Sequence, residues 1–140
     1  MAGANASTGP SFGLLLLRLG AGGLLLYGHG WGKLVHFSAR AAHFPDPLGV
    51  GSSRSLMLAI FAEVLCSILV MLGFATRFAC VPIIICMLVA AFMVNAGAPW
   101  AEKELALIYL LPFACLLFTG AGQYALDSKF GPKVIFKGGK

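Results

Sequence analysis

Four long runs of apolar residues dominate the chain. Short stretches that carry most of its charges and prolines separate them. The runs cover about 12–35, 55–74, 78–95 and 104–119. A helix needs about 20 apolar residues to cross a hydrocarbon core, with a range of about 17 to 25, so each run predicts a transmembrane helix, the last two at the short end. Residues 75–77 between the second and third runs leave room only for a tight turn, which makes those helices antiparallel neighbours. The third and fourth runs are joined across Pro99 and Trp100. The first two are joined by a longer stretch containing Phe44-Pro45-Asp46-Pro47-Leu48-Gly49. Its two prolines forbid a continuous helix. It is apolar for a loop, which places it at the membrane interface or partly folded back into the bundle.

The expected fold class is therefore all-α: an integral membrane four-helix bundle with N and C termini on the cytoplasmic side. The bundle occupies 12–127, after a flexible segment 1–11 and before a basic cytoplasmic tail 128–140. Segment 1–11 has no Lys or Arg and so lacks the basic start of a cleaved signal peptide. Of 140 residues, 59% are hydrophobic and 11% charged, against about 25% charged in soluble domains. So few charges cannot cover a water-facing surface, and the lipid bilayer becomes the first partner. Lysine and arginine counts set the orientation. Arg77 and the tail lysines Lys129, Lys133, Lys137 and Lys140 fall on one side; Lys33, Arg40, Arg54 and Lys103 fall on the other. The balance of five against four, with the lysine tail, favours both ends inside. No aromatic-interleaved basic patch supports nucleic-acid binding.

Ionisable groups inside lipid are costly and need a reason. The first run carries Arg18, His29 and Lys33. At about 100° per residue, His29 lies about 20° from Arg18 and Lys33 about 60° from it, so all three share a stripe that should face the bundle. The second run carries Glu63 near its middle. By helical rise, Arg18 sits about 9 Å and Glu63 about 16 Å from the same membrane side, within reach for an intramembrane Arg18–Glu63 ion pair. Such a pair fixes helix register; the sharper alternative is a proton or quinone site around Glu63. At the opposite end, His29, Trp31, Lys33, Glu63 and Glu104 converge as a candidate pocket for a quinone head or another small polar ligand. Histidine and lysine would meet its carbonyls and a carboxylate would relay a proton. The plainer account makes Trp31 an interface anchor and Lys33–Glu104 an interfacial ion pair.

Other chemistry is thin. Cys66, Cys80, Cys86 and Cys115 form no Cys-x-x-Cys pair and read as small packing residues. His29, His36 and His43 recur every seven residues, but Gly30 and Gly32 weaken the case for one unbroken helix, and no metal site is expected. No nucleophile elbow, P-loop or dinucleotide motif is present, so catalytic residues are not assigned.

Several short motifs occur in a set order: Arg18-Leu19-Gly20; Gly28-His29-Gly30-Trp31-Gly32-Lys33-Leu34; Phe44 to Gly49; Ala62-Glu63; Leu72-Gly73-Phe74-Ala75-Thr76-Arg77; and Gly120-Ala121-Gly122-Gln123-Tyr124-Ala125-Leu126-Asp127. Order and spacing over about 14–127 resemble the DoxX family of bacterial four-helix membrane proteins. The resemblance implies a multi-pass protein of the bacterial cytoplasmic membrane. DoxD relatives are membrane subunits of a thiosulfate:quinone oxidoreductase, and other DoxX-like proteins are linked to redox or oxidative-stress complexes. Gln123 stands where the family often has arginine. Two functions follow as expectations. One is a membrane subunit of a quinone-linked oxidoreductase, with quinone as cofactor and electrons drawn from a partner subunit. The other is a non-catalytic anchor or assembly subunit, whose small residues Gly20, Gly22, Gly23, Gly28 and Gly32 admit close helix contact.

Overall fold

The computed structural model describes residues 8–130. Six helices follow one another: α1 (Thr8–Val35), α2 (Phe37–Arg40), α3 (Ser52–Leu72), α4 (Thr76–Val94), α5 (Trp100–Thr119) and α6 (Leu126–Phe130). No strand occurs among the described residues. Helices α1, α3 and α4 are long and apolar enough to cross a membrane. Helix α5 has 20 residues but gathers Glu102, Lys103 and Glu104 in its first turns. Most of the expected tail, 131–140, lies outside the described residues. Helix α1 begins at Thr8, four residues ahead of the expected start. Pro10 sits in its first turn, where a missing N–H costs nothing.

Helix α1 packs on α3 and α5, and α4 packs on the same two. Leu25, Val70, Cys80, Ile83, Phe113 and Leu116 fill the middle, fully buried. Large apolar side chains such as Leu24, Phe78, Leu111 and Phe118 point outward. A soluble protein rarely exposes an apolar surface of that extent; here it faces lipid.

Each turn between helices is built from particular residues. Helix α3 ends on Gly73, at φ +71°, where the left-handed conformation suits a residue without Cβ. The amides of Gly73 and Phe74 donate to the carbonyls of Val70 and Leu69, closing the helix as C-terminal glycines commonly do. Only Phe74 and Ala75 separate Gly73 from the start of α4, so the α3–α4 turn is tight, as its length required. At the opposite end, Asp46 organises the long loop. Its carboxylate accepts from the amides of Val50 (3.0 Å) and Gly51 (2.8 Å) and from the Ser55 hydroxyl (2.8 Å).

Three helices each contain a π segment: Leu26–Gly30 in α1, Phe61–Cys66 in α3 and Ala90–Val94 in α4. The Trp31 amide reaches back to Leu26 O and the Asn95 amide to Ala90 O, five residues each. An added residue in one turn shifts the phase of everything beyond it. Helix α1 passes Gly30 and Gly32 with its stripe rotated and ends at Val35, so His29, His36 and His43 do not lie on one unbroken helix, as expected.

Candidate functional site

Polar groups gather at both ends of the bundle. At the turn end, where α3 gives way to α4, Arg18 is completely buried. Its Nη1 donates to the carbonyls of Met71 (3.0 Å) and Val70 (3.4 Å), and its Nη2 to Tyr124 O (2.9 Å). Val70 and Met71 lie in the last turn of α3, where carbonyls lack the amides of a following helical turn and the helix dipole presents negative charge; Val70 O is shared with the Gly73 amide. Asp127 completes the assembly. Its carboxylate accepts from the amides of Ala75 (2.7 Å) and Thr76 (3.0 Å), and its own amide donates to Gly73 O (2.8 Å). It also acts electrostatically on the Arg18 guanidinium. Three of the sequence motifs, around Arg18, Gly73 and Asp127, thus meet in one clasp.

The expected Arg18–Glu63 ion pair is therefore corrected. Glu63 pairs with Lys33 instead, Nζ to Oε2 at 2.5 Å. The reason is depth along α3: Val70 lies seven residues beyond Glu63, about 10 Å by helical rise, and the helix-end carbonyls hold the guanidinium there. Two close approaches fix the α1–α3 seam. A Cβ on Gly30 would come within 2.8 Å of Glu63 O, and one on Gly22 within 2.6 Å of Met71 Cγ. Without those side chains, the backbone of α1 lies against α3 and Lys33 reaches across.

At this loop end Glu63 stands in the π segment of α3, nearly buried, and Lys33 follows the π segment of α1. The Cys86 thiol on α4 donates weakly to Glu63 Oε1 at 3.8 Å. The ion pair and Cys86 form part of the wall of a cavity of about 440 Å³ between α3, α4 and the long loop. Loop residues Phe44, Pro45, Pro47 and Leu48 line it, as do Ala90 and Val94 of the π segment in α4. The π segments of α3 and α4 therefore line the cavity, and that of α1 ends three residues before Lys33; π insertions often occur at functional sites.

Two of the five expected pocket residues, Lys33 and Glu63, come together there. The other three do not. His29 meets Tyr109 of α5 edge to face, with ring centroids 5.2 Å apart at 83°; the π segment has rotated it off the cavity side. Trp31 is 53% exposed and points outward, and Glu104 is exposed in the first turns of α5. His36, between α1 and α2, has its Nδ1 3.0 Å from Gly32 O at the end of α1. Cys86 and the loop residues were not expected at the site. The apolar character of Phe44 to Leu48 was the available signal. A buried ammonium–carboxylate pair on an otherwise apolar wall is charge-neutral overall. It offers one carboxylate edge and the remaining ammonium donors to a guest, and one partner can pass a proton to the other.

Comparison with known proteins agrees with this architecture. Residues 13–96 match the family model DoxX. An uncharacterized protein of Haemophilus influenzae is 34% identical over 111 residues, covering 71% of this chain and 83% of its own. No solved structure matches. With the outward apolar surface and the spanning helices, these matches identify the chain as a multi-pass membrane protein of the DoxX family.

Proposed function

We propose that this protein is a membrane subunit of a quinone-linked oxidoreductase or oxidative-stress complex in the bacterial cytoplasmic membrane. In this reading α5 is the fourth span and both ends are cytoplasmic. The quinone head sits in the cavity against Lys33 and Glu63. The observation that carries the reading is an ion pair held at the wall of an apolar cavity within a membrane helix bundle. The lysine ammonium would donate to a quinone carbonyl, and Glu63 would exchange the proton that reduction requires. Electrons would come from a partner subunit, since the sequence carries no redox-cofactor motif. Equilibrium binding of a quinone analogue to purified protein tests this. Glu63→Gln and Lys33→Gln should each weaken binding about tenfold or more, the loss of a hydrogen bond to a charged group being about 1.5 to 3 kcal/mol. His29→Ala should bind as the wild type does. Equal binding by folded Glu63→Gln, or none by the wild type, rejects the reading.

One observation favours the anchor-subunit alternative. Gly9, Gly13 and Gly20 share a face of α1, and a Cβ at each would meet nothing within 4 Å. Small residues left open on a membrane helix suit close contact with a helix of another protein.

A further inference from the structure

The shape and surroundings of the cavity bear on what enters it and from where. Along α4 its wall runs from Pro82 to Val94, twelve residues or about 18 Å of helix. Along α3 it runs from Ser55 to Glu63, about 12 Å. The space is thus a groove, long in the direction of the helices, with its ionisable groups partway along. At the loop end, Phe44, Pro45, Pro47 and Leu48 form the wall, so the route toward the membrane surface passes apolar side chains. On the flank, several lining residues also face outward on the lipid side of the bundle: Leu58 is 53% exposed, Phe61 45% and Ile85 54%. Leu58 and Phe61 belong to α3 and Ile85 to α4, so the groove opens sideways between these two helices.

The charges narrow the class of guest. Lys33 and Glu63 are the ionisable pair of the wall, and they neutralise each other at 2.5 Å. A net charge brought beside them in lipid would stay uncompensated, which is costly. A neutral head with hydrogen-bonding oxygens would be satisfied. Beyond the pair the wall is apolar over a length that suits a chain.

We infer that the cavity is loaded from the bilayer, through the opening between α3 and α4, by a neutral-headed, long-tailed amphiphile whose head reaches Lys33 and Glu63 while its tail lies in the groove and leaves past Phe61 and Ile85. This inference rests on the cavity being the ligand site of the proposed function. It adds the route, the charge class and the residues that meet the tail.

Photo-crosslinking in lipid nanodiscs tests it. The probes are an isoprenoid-tailed benzoquinone with a diazirine on its tail, a diazirine-tailed monoacylglycerol, and a tail-less diazirine benzoquinone added from water. Labelled peptides are located by mass spectrometry. Leu111 on α5, 62% exposed to lipid, serves as the internal reference for random labelling. The tailed quinone should label Leu58, Phe61 and Ile85 at least about tenfold more than Leu111, and excess unlabelled tailed quinone should compete. Ile85→Trp should cut that labelling severalfold, whereas Leu111→Trp should not change it. Tailed probes spread over lipid-facing residues in proportion to exposure overturn the inference. So does a tail-less quinone that reaches the groove equally well and is indifferent to Ile85→Trp; in that case quinone binding stands and the lateral route falls. Monoacylglycerol concentrated in the groove with quinone excluded upholds the route and rejects the quinone reading.

Discussion

Arg18 and Glu63 carry opposite charges in neighbouring helices, yet each chooses another partner. Helical rise places them within a side chain's reach of each other, but rise alone does not register the carbonyls at the end of α3, which lie nearer the guanidinium and hold it. Lys33 takes the carboxylate because Gly30 brings α1 against Glu63. A lone charge left in a low-dielectric site is worse than none, so single substitutions should hurt more than the pair. Lys33→Met and Glu63→Leu should each cost about 3 to 5 kcal/mol, and the double variant less than either. Reversible unfolding in detergent measures all three, and additive losses would show that the pair is not coupled. Gly30→Val should push the seam apart, an overpacking cost of about 1 to 3 kcal/mol, and should weaken Lys33–Glu63 contact as well. The wild-type glycine is thus a site determinant that carries no chemistry of its own.

At the level of elements, the apolar runs predicted the long helices to within a few residues, because continuous hydrophobicity is what lipid demands of a span. The ends moved where turn chemistry decided them: α3 stops at Leu72 because Gly73 takes the left-handed conformation, and α4 starts at Thr76 because Asp127 receives its first amides. The π segments were not legible. They alter the phase of an apolar helix without altering its composition, and the rotation of His29 toward Tyr109 is their visible result. Asp127→Ala should cost about 0.5 to 2 kcal/mol, the usual range for a lost N-terminal cap, read as a lower Tm. The Asp46 loop is pH-sensitive with a defined sign. The Ser55 hydroxyl, then the Gly51 and other nearby amides, holds the Asp46 carboxyl below its ordinary pKa. A depressed folded-state pKa means that the stabilising charge is present above the ordinary carboxylate range and is lost as pH falls through the lower folded value. Hydrogen exchange at Val50 and Gly51 should therefore stay slow at neutral pH and in mild acid, losing protection only in strong acid. Asp46→Ala should lose it already at neutral pH.

For the whole molecule, composition alone gave the membrane, and the ordered motifs gave the family. The arrangement of the site was less accessible, since it depends on which helix faces meet. Residues 44–48 show the distinction: their apolar character pointed to a loop at the interface or folded back on the bundle, while its place beside Glu63 and Cys86 required the tertiary structure. The proposed orientation yields a direct test. Juxtamembrane lysines gain about 1 kcal/mol each near an anionic leaflet, so a cysteine replacing Lys137 should resist an impermeant thiol reagent in intact cells. Ready labelling would place that end outside.

The clasp at the turn end also bears on synthesis. Arg18 enters the membrane with the first helix, yet its three carbonyl partners belong to residues 70, 71 and 124. During translation the first helix must therefore wait 52 and 53 residues for its first two carbonyls and 106 for the third. A chain interrupted before Tyr124 would keep an exposed reason for recognition by membrane proteases, whereas a finished chain would bury it. The buried arginine thus ties the first helix to the closing motif, which is translated last of its partners.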